Sequence, residues 1–238
     1  MNKLVVEQLS KSFDEQNVLE NTSFTFEQGK IYGMLGRNGA GKTTFFDCIA
    51  QDEQYQSGSI ELVQDGDSRD LTPMDVSYVH TEPNLPLFLT GYEFISYFLE
   101  VNKNRVAGSL DAKYYLNLAG LEEVDWNKLL KDYSQGMKTK IQLVASLVLN
   151  TPILLLDEPL TTVDVIAAHE MKKLITDHKT DAIIIFSTHI LQLAQDISDE
   201  IVLLHQKRFS GVGDVDIHSS EFENEVIARL ANGVETDV

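Results

Sequence analysis

The sequence predicts an α/β fold built on a mostly parallel central sheet. Two observations carry that expectation. Apolar runs of strand length, Ile153-Leu154-Leu155-Leu156 and Ala182 to Phe186, alternate with longer segments of helical period. Strands that read as continuous hydrophobic runs are buried on both faces by helices. The second observation is where the polar residues fall. Asp157-Glu158-Pro159 closes the first run and Ser187-Thr188-His189 the second, while a glycine-rich stretch closes Lys30-Ile31-Tyr32-Gly33-Met34-Leu35. In such a sheet a ligand sits at the carboxyl ends of the strands.

That glycine-rich stretch, Gly36-Arg37-Asn38-Gly39-Ala40-Gly41-Lys42-Thr43 followed by Thr44, fits Gly, four residues, then Gly-Lys-Ser/Thr. A buried strand precedes it, and a helix with Phe45, Phe46 and Ile49 turned to a core follows it. This context makes the pattern a phosphate-binding loop. Glycines let backbone N–H groups converge on phosphate oxygens, and the helix N-terminus adds about half a positive charge. Lys42 reaches the β- and γ-phosphates, and the Thr43 hydroxyl ligates Mg²⁺.

In chain order, Leu4 to Leu9 and Thr22 to Phe26 read as strands around a turn-rich segment, Phe24 and Phe26 alternating with Ser23 and Thr25. Phe13, on the connection, is either a base-stacking aromatic or a buried edge aromatic. Gly58 to Val63 alternates as a strand, a polar turn runs through Gln64-Asp65-Gly66-Asp67, and Val76 to His80 is a short strand. From Gly91 to Gly120 the pattern is helical, and its aromatics (Tyr92, Phe94, Tyr97, Phe98, Tyr114, Tyr115) read as a packing face. Ser134 is a plausible N-cap for a helix over Lys138 to Asn150, which Pro152 stops. A further helix follows Asp164.

At 238 residues and 26.7 kDa the chain is one large domain or a core with subdomains, and 43% hydrophobic residues suffice for it. The formal net charge of −18 and the lack of a Lys/Arg block argue against nucleic acid as a partner. The single cysteine, Cys48, suits a reducing compartment. The N-terminus lacks signal-peptide features and no apolar run is long enough to span a bilayer, so the expectation is a soluble, cytoplasmic protein.

Asp157 suits a Mg²⁺ site. Glu158, next along, is placed to polarise the attacking water as a general base. His189 is placed to hydrogen-bond the γ-phosphate or that water. Without the glycine loop, Asp-Glu-Pro after a strand would read as helix capping; beside it, the catalytic reading prevails. The remaining histidines (His80, His169, His178, His205, His218) lack metal-ligand spacing.

Together these residues resemble the ATP-binding subunits of ABC transporters, over about Leu4 to Gly213. Gly36 to Thr43 is similar to the Walker A loop, and Ile153 to Asp157 to Walker B with Glu158 as the catalytic glutamate. Phe13 stands at the family's adenine-stacking aromatic, Thr161-Thr162-Val163-Asp164 at the D-loop and His189 at the switch histidine. Tyr133-Ser134-Gln135-Gly136-Met137 matches the signature Leu-Ser-Gly-Gly-Gln at Ser134 and Gly136 only. Its Tyr-Ser-x-Gly-Met form resembles the branch serving ABC-2-type exporters, including antibiotic-efflux and bacteriocin-immunity systems.

The resemblance implies a P-loop NTPase fold: a mostly parallel central sheet, an antiparallel β subdomain and an inserted α-helical subdomain, in a single domain over 1–238. The catalytic core is expected at about 1–80 and 151–213, the helical subdomain at about 81–150 and a short acidic tail at 214–238. It also implies ATP and Mg²⁺ as substrate and cofactor. A head-to-tail dimer with a second ATPase subunit is implied too, in which Ser134, Gln135 and Gly136 face the partner's ATP. Separately encoded permease subunits, docked near Thr81 to Phe98, hold the protein on the cytoplasmic face of the membrane. The expected activity is ATP hydrolysis that powers an exporter. The alternatives are a weakly hydrolysing regulatory subunit or a soluble ABC ATPase. One departure bears on the metal. Where the family has a glutamine after the strand ending at His80, this chain reads Thr81-Glu82, and Glu82 is the expected substitute ligand.

Overall fold

The computed structural model describes residues 1–106, 108, 111–161, 163–211 and 216–231. Two sheets organise it. The first elements are β1 (Lys3–Phe13), β2 (Gln16–Glu27), β3 (Ile31–Leu35), α1 (Lys42–Ala50), β4 (Ser57–Gln64), β5 (Asp67–Asp70) and β6 (Val76–Val79). Next come α2 (Gly91–Val101), α3 (Ala112–Leu118), α4 (Gln135–Val148), β7 (Ile153–Asp157) and α5 (Val165–Asp177). The last are β8 (Ile183–Thr188), α6 (Leu191–Ile197), β9 (Glu200–His205), β10 (Arg208–Gly211) and α7 (Ser220–Ala231).

An antiparallel sheet runs β2-β1-β4-β5, and the larger sheet runs β10-β9-β3-β8-β7-β6. In the larger sheet every pairing is parallel except that of β10 with β9. Its strands divide their side chains between two cores by the two-residue period of a strand. Leu154, Leu156, Ile184 and Phe186 join a cluster with Ile141, Val144 and Met171 of the helices. Ile153, Leu155, Ile183 and Ile185 join Phe26, Phe45, Phe46 and Leu62 beneath the antiparallel sheet. An apolar residue at every position is therefore required: both faces of each strand are dry.

The expected elements are present, with shifted limits. The segment read as turn-rich between Leu9 and Thr22 is a continuation of both strands: Lys11 pairs with Leu19 and Phe13 with Gln16. Mutual pairing of β1 and β2 holds this polar stretch extended, with β4 adding only the Ser10–Ser57 pair, and register shifts occur where Gln8 (φ 49°) and Asn21 (φ 47°) adopt left-handed conformations. The helical stretch from Gly91 divides into α2 and α3. Thr90 caps α2, accepting from the Glu93 N–H while the Glu93 carboxylate accepts from the Thr90 N–H.

Strands β5, β9 and β10 and helices α6 and α7 lie outside the elements the sequence predicts. Within the expected acidic tail of 214–238, the described part from Ser220 to Ala231 is a helix that buries Phe222 and Val226 against Leu35, Ala194, Ile201 and Leu203. Leu230 packs against the same cluster, so Phe222, Val226 and Leu230, spaced by four, form the apolar stripe that docks one helical face. Residues 212–215 and 232–238 lie outside the described residues.

Candidate functional site

Strand β3 lies between β9 and β8, so it releases the glycine loop at the middle of the sheet's carboxyl edge. Two glycines are required there by space. A Cβ on Gly36 would stand 2.8 Å from the Leu204 carbonyl oxygen of β9. Gly41 has φ +103°, and a Cβ would stand 2.8 Å from Val18 Cγ1. The loop exposes Arg37, Asn38 and Gly39, with Ala40 half-buried, and delivers Lys42, Thr43 and Thr44 as the first turn of α1. The buried Lys42 ammonium donates to the Gly36 carbonyl at 2.9 Å and lies 3.5 Å from Glu158 Oε1. Thr43 Oγ1 donates to Asp157 Oδ2 at 2.8 Å.

Asp157 ends β7 directly across from Ser187 of β8. The Ser187 hydroxyl, fully buried, donates to Asp157 Oδ1 and accepts the Glu158 N–H at 3.0 Å. Glu158 itself has φ 49°, a left-handed conformation costing about 1 kcal/mol for a residue with a Cβ. The bond from its N–H to Ser187 anchors the backbone in that conformation. Its Oε2 accepts from Thr161 Oγ1 at 2.7 Å, and its Oε1 lies 3.0 Å from His189 Nδ1. A carboxylate only accepts, so Nδ1 carries the proton and Nε2 of a neutral ring is an acceptor. His189 thus meets Glu158 directly.

Lys42, Thr43, Asp157 and Glu158 line a cleft of about 320 Å³ together with Phe13 and Val18, while Ser187, Thr161 and His189 are not part of that lining. Phe13, on the end of β1, is 42% exposed, so the buried edge-aromatic alternative does not describe it.

The signature residues, Asp164 of the expected D-loop and Glu82 are not among the residues lining the cleft, whereas Thr161 at the start of that loop bonds Glu158. Ser134 caps α4, its hydroxyl accepting the Met137 N–H at 3.2 Å; Ser134 and Gln135 are exposed, and Gly136 packs near Val163 and Ala167. Asp164 caps α5 by accepting the Ala167 and Ile166 N–H groups, both at 3.0 Å. The Ala167 bond foremost holds its carboxyl below the usual carboxylate range. Thr162 of the expected D-loop lies outside the described residues. Glu82 is exposed and is not among the residues lining the cleft. Thr81, also exposed, donates its hydroxyl to the Asp157 carbonyl at 3.1 Å.

Three residues that the sequence names take part through contacts it does not predict: Ser187 with Asp157 and Glu158, Thr161 with Glu158, and Thr81 with β7. Ser187 follows an apolar strand immediately and precedes a site histidine, which is a usable signal. The other two depend on where a turn places a hydroxyl. Among the described residues no group of three or more His, Cys, Asp or Glu is arranged to hold a metal. The hydroxyl–carboxylate pair of Thr43 and Asp157 nevertheless fits Mg²⁺, which takes one or two protein oxygens and fills its shell with phosphate and water.

Comparison with known proteins matches residues 19–161 to the ABC transporter family model. The tungstate uptake system ATP-binding protein TupC of Peptoclostridium acidaminophilum is 32% identical, covering 90% of this chain and 98% of its own. The bacitracin transport ATP-binding protein BcrA of Enterococcus faecalis is 29% identical over 84% of this chain and 65% of its own. Among solved structures, an ATP-binding subunit of an ABC transporter superposes with a TM-score of 0.78 at 26% identity, covering 94% of this chain and 98% of that one.

Proposed function

The chain belongs to the ABC transporter family as an ATP-hydrolysing subunit, and on that premise we propose that it works as one half of a head-to-tail dimer driving export. The observation that carries the reading is the Ser187-linked pair Asp157 and Glu158, set against Lys42 and Thr43. ATP lies in the cleft with its phosphates on the loop N–H groups and the Lys42 ammonium. Thr43 and Asp157 would hold Mg²⁺, which when bound neutralises charge on the β- and γ-phosphates. Glu158 accepts a proton from water as its oxygen attacks the γ-phosphorus. The bond from that phosphorus to the β–γ bridging oxygen breaks, releasing ADP and phosphate. Thr161 and His189 fix the Glu158 carboxylate for that transfer.

Two features support the dimer. Ser134 stands exposed at the N-terminus of α4, a helix of 14 residues whose positive end suits a γ-phosphate on another subunit. Val165 and Ile166 are exposed in the first turn of α5, beside Gly136 across Val163 and Ala167.

Docking on a permease is supported by the apolar surface between Thr81 and Phe98, where Phe88 is 78% and Tyr97 66% exposed. Among the described residues no helix is long and apolar enough to cross a membrane. Attachment to the cytoplasmic face through separately encoded permease subunits is therefore part of the proposal. The export direction rests on the Tyr-Ser-x-Gly-Met form of the signature; BcrA is a bacitracin transport protein and TupC belongs to an uptake system.

The test is Glu158→Gln, which keeps the shape and removes the base. We expect it to bind ATP and Mg²⁺, to lose hydrolysis, and to elute from size exclusion as an ATP-dependent dimer. Unchanged turnover would return Glu158 to a capping role, and a monomer with ATP bound would remove the dimer.

A further inference from the structure

Lys11 is a cation where a strand end would ordinarily place a polar or apolar side chain. It is 5% exposed and lies two residues before Phe13 on β1. Its ammonium donates to Glu53 Oε2 at 2.8 Å and to the Gln54 carbonyl at 2.7 Å, and it stands 4.2 Å from the centroid of the Phe13 ring. An ammonium has three N–H donors. Two meet oxygen, and the electron-rich ring face takes the remaining direction.

The same stretch grips the residue in between. The Gln56 side-chain amide accepts from the Ser12 N–H at 2.8 Å and donates to the Ser12 carbonyl at 3.0 Å. Residues 53–56, just beyond α1, therefore fix the end of β1 from Lys11 to Phe13. Phe13 lines the nucleotide cleft and Lys11 does not. The ammonium thus occupies one face of the ring, and the cleft receives the other.

We propose that Lys11 is a positioning residue for the base of the nucleotide: it holds the Phe13 ring by one face and primes the opposite face to stack on a purine. The inference rests on the reading of Phe13 as the base-stacking aromatic. Two effects act together. The cation restricts rotation of a ring that is otherwise substantially exposed, so less freedom is lost on binding. It also offsets the negative charge of the ring face, which reduces the repulsion between that quadrupole and the π-electrons of a stacked base. The preferred ligand class is a purine nucleoside triphosphate, with the larger π-surface, over a pyrimidine one.

The experiment measures ATPase KM and kcat, and calorimetric binding of ATP and of inorganic tripolyphosphate, which has no base. The proteins are the wild type, Lys11→Met, Phe13→Ala and the double variant. Lys11→Met should raise KM for ATP about three- to tenfold, leave kcat unchanged and leave tripolyphosphate binding unchanged. The double variant should bind ATP no more weakly than Phe13→Ala. Lys11→Gln keeps an N–H donor without the charge and gives the same outcome should Lys11→Met fail to fold.

Equal weakening of ATP and tripolyphosphate would overturn the proposal, because the loss would then be general damage to the loop. Unchanged ATP affinity in Lys11→Met beside weakened affinity in Phe13→Ala would overturn it while leaving the stacking reading intact. Unchanged affinity in Phe13→Ala would remove the stacking reading itself.

Discussion

Ser187→Ala removes one buried hydroxyl and leaves two groups short of a partner. The Glu158 N–H loses its acceptor, and one oxygen of a nearly buried Asp157 carboxylate loses a donor. Each such loss costs about 1–3 kcal/mol. Asp157 keeps the Thr43 hydroxyl on its other oxygen, so the sum is expected at about 2–4 kcal/mol. For a chain of this size that lowers Tm by about 5–15 °C, with the urea m-value unchanged because no different surface is exposed. Hydrolysis should fall as well. The Glu158 N–H bond to Ser187 anchors a backbone at φ 49°, and freeing it by even 1.4 kcal/mol of misplacement costs about tenfold in kcat. Thermal melts, urea titration and steady-state ATPase assays read these effects. A Tm within about 2 °C of wild type, together with full turnover, would refute the reasoning: the hydroxyl would then be a filler between strand ends rather than the link that orients the pair.

Two further outcomes are specific to this chain. Thr81→Val removes the hydroxyl bonded to the Asp157 carbonyl and should lower ATP turnover about three- to tenfold by loosening the end of β7; Glu82→Ala, at an exposed position, should matter less. Greater loss and weaker apparent Mg²⁺ affinity in Glu82→Ala would instead support Glu82 as the substitute metal ligand. Asp75 is held at a pKa of about 2, foremost by the Arg69 guanidinium, which meets both of its oxygens. Its folded pKa lies below the unfolded 3.8. The stabilisation is thus complete above about pH 4 and disappears as pH falls toward 2; with Arg69 partly exposed it amounts to about 1 kcal/mol. Asp75→Asn should flatten the acid limb of the stability curve in that window, and an unchanged limb would discount the pair.

Much of the site was legible because it lies in short stretches whose chemistry is local. A lysine and a threonine after spaced glycines, or an Asp-Glu pair after four aliphatic residues, announce themselves without neighbours. The same holds for the sheet, since strands buried on both faces must be apolar throughout and helices must show their period. Boundaries were less legible where pairing overrides propensity: Ser10 to Phe13 reads as part of a turn-rich segment, yet Lys11 to Phe13 pair with β2 and Ser10 with β4. Helix α7 is less legible because its stripe of Phe222, Val226 and Leu230 is set among acidic residues, and the surface that receives it is the third core.

From the sequence alone follow the sheet class, the phosphate loop and the identities of Lys42, Thr43, Asp157, Glu158 and His189. What only the tertiary structure decided is how those groups address one another. Ser187 ties Asp157 to Glu158, His189 meets the glutamate, Thr81 rather than Glu82 reaches β7, and Lys11 lies against Phe13. Each contact joins residues through strand order, register or a turn. A linear pattern specifies which side chains are available, but the distance between two of them is set by the pairing of strands far apart in the chain.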